Sequence, residues 1–255
     1  MAPRTANGGN VDSARGYVTL YRSMSSNPAT TRPPTNGHAE RSAATRLKLI
    51  CATIATLNAV GYPATTTIEV VRRAKVSRGA MLHHFGTRAE LLLATAEHVL
   101  REQEIDRREM LRDIERGEER FYAITDAMWN SMRRPEAKAL TEIMLGARSD
   151  PEIYGPFATL MREFNRKLLD GPNIIAEDHG YADTRLVRAM ARLHVAAMRG
   201  LMIDKLYWDE DDTSIDDAFE LMIWYKGLVM RRLADPDFAK ATPPRERPLR
   251  RPGLD

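Results

Sequence analysis

Two helix starts fall close together between Gly61 and Phe85, and their spacing constrains the fold more than any other feature of the chain. Thr66 followed three positions later by Glu69 is a capping box, so a helix begins there. Val70 and Val71 supply its inward face. Ala74-Lys75-Val76 leaves room only for a tight turn, and Ser77 caps a second helix whose first turn is Arg78-Gly79-Ala80. Two short helices joined this way, the second opening on small and basic residues, form a helix-turn-helix pattern.

That pattern implies a chemistry. Gly79 and Ala80 let the second helix sink into a groove without steric clash, and Arg78 can then offer two donors to a guanine edge. His83, one turn on, reaches a base or a phosphate. The capping N–H groups near Thr66 and Ser77 sit at phosphate height. Charge agrees with this reading. Arg41–Glu90 holds eight basic residues against two acids, a local +6 in a chain whose net charge is +3. A basic head on a mildly acidic body suits a polyanion partner, although a solvated basic face gives the same count.

Gly61-Tyr62, Thr65-Thr66, Val70, Ala74, Val76-Ser77, Gly79, Met81, His84-Phe85, Arg88 and Leu91 stand in register with the DNA-binding domain of the TetR/AcrR family, which the segment closely resembles. The resemblance covers residues 41–90. It implies that Thr66 and Arg88 meet phosphates and that Arg78, Gly79, Ala80, Leu82 and His83 line the major groove. Thr67, Ser77 and His84 complete the expected DNA-binding set. Phe85 is expected in the core with His84 beside it. Three positions depart from the family pattern. Lys75 replaces the turn glycine and must accept a positive φ. Val71 replaces a small alanine. Leu82 replaces a tyrosine, which exchanges a phosphate hydrogen bond for an apolar contact suited to a thymine methyl.

The rest of the chain reads as helix. Leu47, Ile50, Cys51, Ile54 and Leu57 mark one apolar face of a first helix that Gly61 stops. A fourth helix opens at Thr87 and runs to about Gly117. Further helices are expected over Glu118–Met132, Pro135–Ala147, Pro151–Glu177, Asp183–Tyr207 and Ser214–Ala234, and no segment alternates as a strand. The fold class is all-α: a three-helix N-terminal helix-turn-helix domain over residues 39–90 and a larger helical effector-binding and dimerisation domain over residues 91–236. Residues 1–38 read as a disordered arm and residues 237–255 as a disordered basic tail. Asp209-Glu210-Asp211-Asp212 reads as a solvated acidic loop. No stretch approaches the ~20 apolar residues of a membrane span, no signal-peptide core opens the chain, and the single cysteine, Cys51, suits a reducing cytoplasm.

On the family plan the last two helices, about 183–207 and 214–234, pair with those of a second copy in a four-helix bundle. Ala189, Leu193, Ala196, Ala197 and Gly200 give one a small-residue stripe, and Phe219, Met222, Ile223, Tyr225 and Leu228 give the other an apolar face. A hairpin buried within one chain uses the same residues. The adaptable apolar side chains Phe121, Met128, Trp129, Met132, Met144, Phe157, Met161, Phe164 and Met190, with Arg148 and His194 as polar groups, are candidates for an effector pocket or for ordinary core.

Such a dimer is expected to repress from a palindromic double-stranded operator and to be released by a small, largely apolar effector. An effector-independent architectural dimer is the alternative. No catalytic motif, cofactor fingerprint or metal-ligand set is found, and the adjacent His83 and His84 project too far apart to chelate together.

Overall fold

A computed structural model describes residues 37–115, 117–178, 184–207 and 213–235. The expected N-terminal arm (save Gly37 and His38), the acidic run Asp209–Asp212 and the expected C-terminal tail lie outside the described residues. The helices are α1 (Gly37–Ala64), α2 (Thr67–Ala74), α3 (Arg78–His84), α4 (Arg88–Met110), α5 (Glu118–Met132), α6 (Pro135–Gly146), α7 (Pro151–Asp178), α8 (Thr184–Asp204) and α9 (Ser214–Ala234), with one 3-10 turn at Ala147–Ser149. No strand occurs among the described residues. Helix α1 already begins at Gly37, so the last two residues of the expected arm are helical.

The chain divides into two compact units. The first runs through Glu109 and adds Asn130–Phe164; the second takes Met110–Trp129 and the chain from Asn165 onward. In the first unit α1 is the central helix. Its Leu49, Ile50, Ile54 and Leu57 are buried against Val70 of α2, Met81 in the middle of α3 and Phe85 at its C-cap, and Leu91, Leu92, Ala96 and Val99 of α4. The same core continues into Ala139 and Ile143 of α6 and Ile153 and Phe157 of α7. By length and mean hydropathy α1 would suffice to cross a membrane, contrary to the sequence expectation, but half of the relevant window is buried in this unit as a core helix. Thr53, Thr56 and Thr95 are fully buried and return their hydroxyl protons to the carbonyls of Leu49, Ala52 and Leu91, so none of these three hydroxyls is stranded. Burial pushes the Cys51 thiol up to about 11, which makes it a poor nucleophile.

The second unit has its own small core of Phe121 from α5, Val187 and Met190 from α8, and Val229 and Met230 from α9. Trp129 stacks on Phe219 at 4.8 Å with the rings 11° from parallel.

Candidate nucleic-acid interface

The turn between α2 and α3 is built by hydrogen bonds that the sequence specifies. Thr66 caps α2 by accepting from the Glu69 N–H at 3.2 Å. The other half of the expected capping box is not made, because the Glu69 carboxylate turns to the Arg72 guanidinium at 2.6 and 2.9 Å. Helix α2 ends in a Schellman motif: the Lys75 N–H donates to the Arg72 carbonyl and the Val76 N–H to the Val71 carbonyl, at 3.4 and 3.2 Å. This places Lys75 in the left-handed region, at φ 54° and ψ 43°. The departure from glycine is therefore accommodated with the turn geometry intact. Ser77 then caps α3 through the Ala80 N–H at 3.1 Å.

These caps fix which face of α3 is offered to solvent. Met81 and Phe85 are buried, which forces Arg78, Gly79, Leu82 and His83 outward. Arg78 makes no hydrogen bond or ion pair with the described residues, so its donors are free for a ligand. A Cβ added at Gly79 would meet only Ser77 Oγ, at 4.0 Å. Nothing within the protein demands a glycine there. Leu82 is 51% exposed, and Ile68, in the first turn of α2, is 70% exposed. The sequence reading passed over Ile68, although Thr66 and Thr67 on either side of the helix start were counted. An open groove lined by His38, Arg41, Ser42 and Thr45 of α1 and His83 and His84 of α3 continues this surface. Partial burial, with His83 and Arg46 nearby, holds His84 below the usual imidazole range.

Arg88, expected at a phosphate, is held within the protein by three groups. Its Nε donates to the Thr65 carbonyl and Nη2 to the Tyr62 carbonyl, both at 2.7 Å, while Nη1 meets Asp150 at 3.2 Å. The guanidinium also lies over the Tyr62 ring, 4.5 Å from its centroid. Arg88 thus ties the approach to α2 to the start of α7. Tyr62 completes the tie: its N–H donates to Glu142 at 3.0 Å and its hydroxyl to Asp150 at 2.8 Å. The sequence offered no signal for this network, since its members are 23 to 88 positions apart.

The candidates for the effector pocket are divided. Met144, Phe157 and Met161 pack with the core that carries the helix-turn-helix, and Arg148 is exposed. Phe121, Trp129, Met190 and His194 are buried in the second unit. Of the residues expected on the apolar face of α9, Phe219 and Met222 are buried in their own unit, Ile223 and Leu228 are half-buried, and Tyr225 is exposed. Leu221 and Trp224, outside that set, are exposed at 62% and 60%. Lys226, fully buried, escaped the sequence reading because a lysine in an amphipathic helix is normally assigned to the solvated face.

Residues 49–95 match the family described as bacterial regulatory proteins, tetR family. Over 57 residues the chain is 44% identical to the HTH-type transcriptional regulator BetI of Burkholderia cenocepacia (strain HI2424), and equally to that of Burkholderia ambifaria (strain MC40-6). These matches take in 22% of this chain and 29% of each relative, so the chain spans less than a third of the length of the curated relatives it matches. Solved structures extend the likeness of fold. A putative transcriptional regulator from Pseudomonas aeruginosa PAO1 superposes with a TM-score of 0.60 at 20% identity, over 78% of this chain and 95% of that one. A TetR-family transcriptional regulator from Streptomyces coelicolor gives 0.59 at 16% identity, over 76% and 97%. By the caps, the left-handed turn and the outward face of α3, and by this match in sequence, residues 49–95 form a helix-turn-helix similar to that of the tetR family of bacterial regulatory proteins.

Proposed function

We propose that the protein is a dimeric transcriptional repressor that reads a palindromic operator through Arg78, Gly79, Ala80, Leu82 and His83, and that a small effector bound in the second unit releases it. The observation that carries the reading is the outward face of α3, where an unpaired arginine and a glycine with no packing duty stand beside an exposed leucine. Thr66, Thr67 and Ser77 bring the helix starts to the phosphates, and Arg41 adds positive potential along the groove beside α3, which His83 and His84 also line. Dimerisation is supported by α8 and α9, whose Ala189, Leu193, Ala196 and Gly200 and Leu221 and Trp224 are exposed on helices that pack against each other. An apolar face of this kind suits a second copy of itself.

Selection of bound sequences from a random duplex pool tests the assignment. A two-fold symmetric site is expected, and Arg78→Ala is expected to lose about 1–3 kcal/mol of discrimination at one base pair of each half-site. Equal binding of Arg78→Ala and the parent chain to the selected site would sink the assignment of Arg78.

A further inference from the structure

The second unit holds a buried lysine that makes no ion pair among the described residues. Lys226 on α9 is 3% exposed, and its Nζ donates to the Phe121 carbonyl and, at 2.6 Å, to Thr125 Oγ1. The ammonium also lies over the Phe121 ring, 4.1 Å from the centroid. Every one of these partners is neutral. Asp126, the nearest acid to act on it, is exposed, and its field does not offset the loss of water, so burial pushes the ammonium down to about 7. On α8, His194 is 4% exposed and its Nε2 has no hydrogen-bond partner among the described residues. Tyr225 meets that imidazole edge-on at 6.4 Å. Burial holds His194 down to about 4, and the charge of Lys226 adds to the effect, which puts the two groups within each other's field.

Both groups lack something that one ligand would supply. A charge taken out of water is costly unless an opposite charge or a full set of hydrogen bonds replaces it. The unit buries Met190, Met198, Met222 and Met230, so an unbranched apolar side chain is readily accommodated in this core. A lysine at 226 therefore contributes its charge, not its length. A carboxylate would accept from the ammonium with one oxygen and from His194 Nε2–H with the other.

We propose that Lys226 and His194 form the polar end of a binding site for a small organic acid, whose apolar remainder lies against Phe121, Met190 and Met230. The proposal rests on the reading of the second unit as an effector domain, and it names the chemical class of the effector.

Calorimetric titration of the full chain with matched probes tests it: octanoate against octanamide, and phenylacetate against phenylacetamide. At least one acid is expected to bind at least tenfold more tightly than its amide. Lys226→Met is expected to remain folded by circular dichroism, because it removes an uncompensated buried charge, and to lose the preference for the acid. His194→Phe is expected to weaken the acid severalfold, and it carries the same comparison should Lys226→Met not fold. Amides that bind as well as acids, acids that do not bind, or a Lys226→Met chain that keeps the preference would each overturn the proposal. Release of operator DNA by a neutral molecule, with no acid bound, would remove the acid and leave the effector reading standing.

Discussion

Gly146 lies so close to the face of Tyr62 that a methyl group built on it would sit 2.1 Å from the ring's Cγ and 2.3 Å from Cδ1. The contact joins the last turn of α6 to the segment that leads into the helix-turn-helix, and it admits no side chain. Gly146→Ala is therefore expected to displace the Tyr62 ring and to cost roughly 1–3 kcal/mol, as overpacking of a filled core does. Urea unfolding measures the loss, and an unchanged midpoint would show that the ring yields freely.

The same tyrosine predicts a dependence on pH at both ends. Burial and then the hydrogen bond to Asp150 push the Tyr62 hydroxyl up to about 12. Its contribution is full below the unfolded value near 10 and is lost as pH rises toward 12. The hydrogen bond from Tyr62 holds Asp150 below the usual carboxylate range. That contribution is present above the unfolded carboxylate value and is lost as pH falls through the lowered folded one. Tyr62→Phe is expected to flatten the stability profile in both windows, measured by thermal unfolding from acid to alkaline pH.

Arg88 is expected to matter for folding before it matters for DNA. Its fork satisfies two backbone carbonyls and one carboxylate at once. Arg88→Lys keeps the charge but cannot span the three, so it is expected to destabilise nearly as much as Arg88→Ala, by about 2–3 kcal/mol. Chemical denaturation of the two variants decides the point. Full rescue by lysine would mean that the charge alone acts.

Lys75 holds a left-handed conformation that costs a side-chain-bearing residue roughly 1–2 kcal/mol. Lys75→Gly relieves that strain and adds freedom to the unfolded chain, for an expected net gain of about 0.5–1 kcal/mol in thermal unfolding. Its exposed ammonium also faces solvent near the turn, so affinity for any duplex is expected to fall slightly while stability rises.

Gly79 separates packing from recognition. The space around it is open, and alanine favours the helix, so Gly79→Ala is expected to stabilise the free protein by up to about 1 kcal/mol. If α3 enters the groove as proposed, the added methyl meets a base edge and operator affinity falls in the same variant. Unfolding and band-shift measurements on one preparation would show both effects, and unchanged affinity would move the groove contact away from Gly79.

The helix-turn-helix was legible in the sequence because each of its signals is local. Thr66, Lys75 and Ser77 act on atoms within five residues, and their caps and turn are found where the spacing puts them. What could not be read depends on distant partners. No local pattern pairs Arg88 with Asp150 or places Phe157 in the core of the first unit. Lys226 fails for a related reason: its polarity predicts a wet face, and only the packing of α9 against α5 shows that it is dry. Periodicity places helices well and says little about which of two apolar sides meets the rest of the chain, as Phe219 and Trp224 show.

Leu82 and Ile68 give the proposed DNA-facing surface an apolar component that a purely ionic head would lack. Salt and heat capacity then report on different parts of the same contact. The arginines set the ionic-strength slope, whereas covering these two side chains lowers the heat capacity of the complex and makes the binding enthalpy grow more negative on warming. If α3 reads an operator as proposed, its affinity responds to temperature in its own right, independently of any effector.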